Sequence, residues 1–237
     1  MSDSAASPAL HPVGVNHLAI STRDMKAQLQ FWCDVLGCPL KALYWMHGVQ
    51  GCFHGFVELS PTSYIAFVQH PDNAAEVQVG LTHAGNPGGP VAAGTMQHLA
   101  LHVDTLDEVL ALRDRVRSRG VHVMGPIDHG FIQSTYFAGP EGLTLEICCG
   151  SDIDERAWID PEVVGLCGIS SDELASLIAP AAFRPGPTAV AQPGPDAPGP
   201  RMVYPAPAYQ ALMGMSDADM WQHLSETTPP VAVESPR

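Results

Sequence analysis

The sequence predicts an α+β fold: two βαβββ modules, over residues 13–70 and 96–150, whose strands form a curved mixed sheet, with a C-terminal extension behind them. Three observations carry this. The order strand, helix, strand, strand, strand can be read twice along the chain. The first strands of the two copies share the letters His-Leu-Ala, at His17–Ala19 and His98–Ala100, and internal self-similarity of this kind signals paired modules. Finally, Phe131–Gly150 reads as two strands around the turn Gly139-Pro140-Glu141-Gly142, where Pro fixes one dihedral and Gly permits positive φ.

The elements follow in order. Val13–Ser21 is β-rich, and Asp24 then stands as an N-cap before Met25, Leu29, Trp32, Val35 and Leu36 at helical spacing, with Gly37 as the stop. Strands are expected near Pro39–Met46, Gly51–Leu59 and Tyr64–Gln69, separated by turn signals. After a loop rich in Gly, Ala and Pro (Pro71–Thr95), Met96–Val103 opens the second module. Thr105 with Glu108 three residues on forms a capping box, and its helix runs to Gly120. Strands at Val121–Gly125, Phe131–Gly139 and Leu143–Gly150 complete it. Residues 1–12 are expected to be disordered, 151–179 to carry short helices, 180–200 to be a Pro/Gly linker, and 201–237 to be a tail with one short helix opening at Ser216.

Composition narrows the function. At 237 residues, 46 % hydrophobic and 15 % charged, the chain is globular. A net charge of −14 without a Lys/Arg-rich patch argues against nucleic acid or an anionic membrane as partner. The N-terminal stretch lacks a basic region followed by an apolar one, and no run approaches the ~18 apolar residues of a membrane helix, so the reading is a cytoplasmic protein. Six cysteines include no CxxC pair and are expected to be reduced thiols.

Alternation places Leu143, Leu145 and Ile147 on one face of the last strand and Thr144, Glu146 and Cys148 on the other. A lone carboxylate in so apolar a strand is paired, hydrogen-bonded or bound to a metal, because burying it alone costs several kcal/mol. His17 shares a face with Val15, Ala19 and Ser21, and His98 with Met96, Ala100 and His102, each opposite the leucines that a helix would cover. Histidines at the same place in a repeated unit, with Glu146 on the last strand, point to ligands. His17, His98 and Glu146 are therefore expected to meet in one concave pocket. Two imidazoles and a carboxylate suit Fe(II) or Mn(II) as a facial triad; three protein ligands and a water equally describe catalytic zinc.

Through the motifs NHLAIS, MQHLALHV and STYFAGPEGLTLEI, residues 13–150 resemble the vicinal oxygen chelate superfamily. This group includes glyoxalase I, methylmalonyl-CoA epimerase, fosfomycin and bleomycin resistance proteins, and extradiol dioxygenases of one module pair. The resemblance implies the paired βαβββ fold and a divalent metal on His17, His98 and Glu146. Glyoxalase I and the epimerase carry a fourth ligand on the last strand of the first module, where this chain has Ala66 and Phe67, with Gln69 or His70 as substitutes in another register. Bleomycin-binding members generally lack the metal triad. Extradiol enzymes are closer: they place a Tyr ten residues before the Glu ligand, as Tyr136 stands here. His129 falls where hydroquinone-type relatives carry a substrate-orienting Arg, and as an imidazole it suits acid–base work. The chain departs from catechol-cleaving members at Ser63, where they have an acid/base His, and from hydroquinone-type members at Asn16 and Gln97, where they have His. His54 is the candidate replacement base. The resemblance implies an Fe(II) ring-cleaving dioxygenase that takes O2 and a catechol- or hydroquinone-like small molecule. The rivals are a non-redox lyase, isomerase or transferase using Mn(II), Zn(II) or Ni(II), and a metal-free small-molecule binder. Whether the cup closes within one chain or across a homodimer stays open.

Overall fold

A computed structural model describes residues 10–150 and 152–232; the expectations for residues 1–9 and for the last five residues lie outside this range. Contacts divide the described residues into two units, one spanning Val13–Ile178 and the other holding residues 10–12 and 179–232. The first unit holds both modules. Module one contains β1 (His17–Ser21), α1 (Met25–Gln30), β2 (Leu40–Trp45), β3 (Phe53–Ser60) and β4 (Ser63–Gln69). Module two contains β5 (Leu99–His102), α2 (Leu106–Ser118), β6 (Val123–Asp128), β7 (Gln133–Ala138) and β8 (Thr144–Cys149). Each forms its own four-stranded sheet, in the orders β1-β4-β3-β2 and β5-β8-β7-β6. In both, the first strand pairs parallel with the last, and the remaining pairs are antiparallel. The first strands, β1 and β5, are thus sheet edges, each with one ladder partner.

Local chemistry explains the elements. Asp24 accepts from the Ala27 amide at 2.9 Å, and Gln69 Oε1 accepts from the Met25 amide at 2.8 Å, so two of the orphan N–H groups at the start of α1 are satisfied. The expected helix to Leu36 changes character at Phe31: residues Phe31–Leu36 wind as a π-helix. This wider turn buries Trp32, Val35 and Leu36 together before Gly37 ends it at φ 86. In α2 the capping box forms as predicted, Thr105 Oγ1 accepting from the Glu108 amide and Glu108 from the Thr105 amide. One core joins the modules, with Trp32, Val57, Ile65 and Phe67 from the first and Val109, Val116, Leu145 and Ile147 from the second. All six cysteines are free.

Two polar clasps cross from module to module. Arg115 of α2 donates to the Val35 and Asp34 carbonyls at 2.8 and 2.9 Å, capping the end of the π turn. Glu141, in the β7–β8 turn at φ 54, accepts from the Thr22 hydroxyl at 2.6 Å, the Arg23 amide at 2.7 Å and Gln28 Nε2 at 2.8 Å. Partial burial raises the Glu141 carboxyl, but these hydrogen bonds outweigh it and hold it below the ordinary carboxylate range. A depressed folded-state value stabilises the fold above the unfolded value, and that stability is lost as pH falls through the folded value. Glu141→Gln is expected to cost about 1 kcal/mol at neutral pH, after allowance for solvent screening. The difference from wild type should shrink to nothing in acid, which denaturant titrations at several pH values would read.

After module two come three short helices, α3 (Glu155–Trp158), α4 (Pro161–Leu166) and α5 (Ser171–Ile178). In the second unit the tail carries α6 (Ala206–Gly214) as well as the expected α7 (Asp217–Leu224). The extra helix starts after Pro205, whose fixed φ suits a helix entry. Among the described residues no helix is long and apolar enough to cross a membrane.

Candidate metal centre

The repeated topology makes equivalent positions comparable. In module one Ala19 pairs with Ala66, and in module two Ala100 pairs with Glu146. Ala66 is therefore the counterpart of Glu146, and it is fully buried. Of the two substitutes for a fourth ligand, neither is the counterpart of Glu146 in this register; Gln69 Oε1 caps α1, and His70 Nδ1, just past the end of β4, accepts from the Asp72 amide at 3.1 Å.

On the second sheet four expected residues come together. His98 Nε2 lies 3.0 Å from Glu146 Oε2. Tyr136 sits directly across from Glu146 in the β7–β8 ladder, and its hydroxyl is 3.0 Å from His129 Nε2. Glu146 is 1 % exposed, and its Oε1 has no hydrogen-bond partner. Burial, reinforced by the Glu146 charge, pushes the Tyr136 phenol above its ordinary value, so Tyr136 stays a protonated donor at neutral pH.

His17 and His54 lie elsewhere, on the first sheet. His17 stands 5.7 Å from the Phe56 ring, and His54 4.7 Å from it. Partial burial, with the neighbouring His17, lowers His54, and its Nε2 is buried without a partner. Tyr44, stacked with Phe56 at an interplanar angle of 8°, and Tyr64 complete an aromatic face. The alternation of His54, Phe56 and Glu58 in β3 signals that face, but Tyr44 joins it only through cross-strand pairing with His54. Among the described residues no three His, Cys, Asp or Glu side chains converge as a metal cluster. The structure thus joins His98 to Glu146 and leaves His17 on the other module's sheet.

The donors suit a divalent metal of intermediate hardness: a buried carboxylate with an uncommitted oxygen beside an imidazole. Burial, then the Glu146 charge and Cys149, raise the neighbouring Cys148 thiol to about 11, so it stays protonated.

The fold thus pairs two βαβββ modules, with His17 in β1, His98 just before β5 and Glu146 in β8. The chain belongs to the glyoxalase/bleomycin resistance protein/dioxygenase superfamily, whose sequence model matches residues 14–147. It is 29 % identical over 131 residues to biphenyl-2,3-diol 1,2-dioxygenase 2 of Rhodococcus globerulus, covering 55 % of this chain and 60 % of that protein. It is 26 % identical over 134 residues to a probable lactoylglutathione lyase of Synechocystis, covering 55 % of this chain and 91 % of that protein. Among solved structures, a glyoxylase/bleomycin resistance protein/dioxygenase domain from Frankia sp. EAN1pec aligns with a TM-score of 0.48 at 14 % identity, over 60 % of this chain and 100 % of that one.

Proposed function

We propose that this protein is a metal-dependent enzyme of extradiol type, an Fe(II) dioxygenase opening a catechol- or hydroquinone-like ring. The observation that carries the reading is the grouping of His98, Glu146, Tyr136 and His129 on one sheet face, together with likeness to a biphenyl-diol dioxygenase. His98 and Glu146 would hold the metal, and His17 of a second copy of the chain would complete the triad. In support of the second copy, His17 does not cluster with the pair among the described residues, and β1, which carries His17, and β5, which His98 immediately precedes, are both sheet edges. When bound, the metal supplies Lewis acidity that lowers the pKa of chelated substrate oxygens and a site for O2.

The chain's own groups do the rest. Tyr136 donates a hydrogen bond to a substrate oxygen while its phenol oxygen accepts from His129 Nε2, which can resupply the phenol's proton. His54, held neutral, can take a proton from a substrate hydroxyl, and the Tyr44–Phe56–Tyr64 face offers a flat surface for an aromatic ring. Ala66 at the fourth-ligand position weighs against the lyase reading. The test is O2 uptake after anaerobic loading with Fe(II), against a panel of catechols and hydroquinones. Uptake that requires both metal and diol, and falls at least about 100-fold in Tyr136→Phe, is expected; metal loading without any O2 uptake would favour the non-redox rival.

A further inference from the structure

The side-chain amide of Gln97 sits between the inter-module loop and His98. Its Nε2 lies 3.2 Å from the Asn86 carbonyl, 2.9 Å from that of Pro87 and 3.2 Å from that of Gly89. Carbonyls only accept, so they fix which end of the amide is nitrogen. The other end, Oε1, is hydrogen-bonded to His98 Nδ1. An amide oxygen also only accepts, so Nδ1 must carry a proton.

The consequence falls on the far side of the ring. With the proton on Nδ1, neutral His98 presents the Nε2 lone pair to Glu146 Oε2, 3.0 Å away. Two lone pairs facing each other at that separation repel unless a positive charge stands between them. We propose that Gln97 is a positioning residue: held by the Asn86–Gly89 loop, it sets the His98 tautomer so that Nε2 and Glu146 Oε2 form a paired acceptor site for a divalent cation. This rests on the ligand reading above.

The loop is built for the task. Ala84 is buried, and a Cβ on Gly89 would stand 2.1 Å from the Ala84 carbonyl oxygen, so only glycine lets the chain close there. The Asn86 side chain accepts from the Gly88 amide at 2.9 Å, bracing the turn that presents the three carbonyls. Module one has a lighter version: Asn16 Oδ1 bonds His17 Nδ1 at 2.8 Å on an exposed surface. The same ring nitrogen, Nδ1, bonds the side chain of the preceding residue in both modules.

Nitrogen-15 NMR of histidine rings in the metal-free, full-length protein, above the ordinary histidine titration range, reads the tautomer. Titration with Mn(II) reads affinity. Wild type should show His98 as the Nδ1–H form, and Gln97→Ala should convert it toward Nε2–H and weaken Mn(II) about 10–100-fold. Gly89→Ala should weaken Mn(II) in the same direction, and the Gly89→Ala/Gln97→Ala double variant should be no worse than the worse single. A Gln97→Ala protein that melts lower but keeps both tautomer and affinity would overturn the proposal, leaving Gln97 a loop anchor. A wild type with the Gln97-dependent tautomer that takes up no Mn(II) upholds the tautomer assignment and overturns the ligand reading instead.

Discussion

His17→Ala and Glu146→Ala chains, refolded together in equal amounts, are expected to recover about one quarter of the wild-type metal capacity, although neither binds metal alone. The arithmetic follows from a centre shared between two copies. Half of the randomly assorted dimers pair one variant with the other. In each, one centre draws His17 from the Glu146→Ala chain and the His98–Glu146 pair from the His17→Ala chain, while the second centre lacks both. A centre built within one chain gives zero recovery, because every chain is missing a ligand. Metal analysis of the refolded mixture, with exchange verified by mass-tagging one variant, reads the difference directly. Zero recovery from verified mixed dimers would sink the shared centre, and so would full metal binding by His17→Ala alone.

The reason the separation of His17 from His98 and Glu146 on the two sheets was not legible in the sequence is physical. Alternation along a strand says which face a side chain takes, and it put His17, His98 and Glu146 opposite the leucine-bearing core faces, where Leu145 and Ile147 are buried. Faces do not say how one sheet is set against another. That is decided by long-range contacts such as Arg115 on the Asp34 and Val35 carbonyls and Glu141 on Thr22, Arg23 and Gln28, made between residues far apart in sequence. Glu141 was readable as a turn residue and nothing more. The Thr105–Glu108 box and the Gly37 stop depend on neighbours within a turn and were legible. The π winding at Phe31–Leu36 answers to core packing and was not. Gln97 stood out in sequence only as a non-histidine; its meaning needed the three carbonyls folded back from the inter-module loop.

Replacing Glu146 by leucine is expected to stabilise the metal-free protein while removing metal binding. Glu146 is 1 % exposed, one oxygen has no partner, and its ladder neighbours are Ala100 and Tyr136. A carboxylate so enclosed loses hydration that a single imidazole does not replace, whereas leucine fills similar volume without that loss. The His98 side chain, 32 % exposed, can turn its freed nitrogen to water. Exchanging buried ionic groups for apolar ones of like size is neutral to stabilising, so a gain of about 1–2 kcal/mol is expected in the presence of chelator. Saturating metal should reverse the order, because a ligand at 100 times its dissociation constant adds about 2.7 kcal/mol to the wild type and nothing to the variant. Calorimetric melting of both proteins with chelator and with metal would show the two curves changing places. A leucine variant that melts below wild type in chelator would mean that Glu146 holds the sheet together through His98, and that its burial is not held in reserve for a cation.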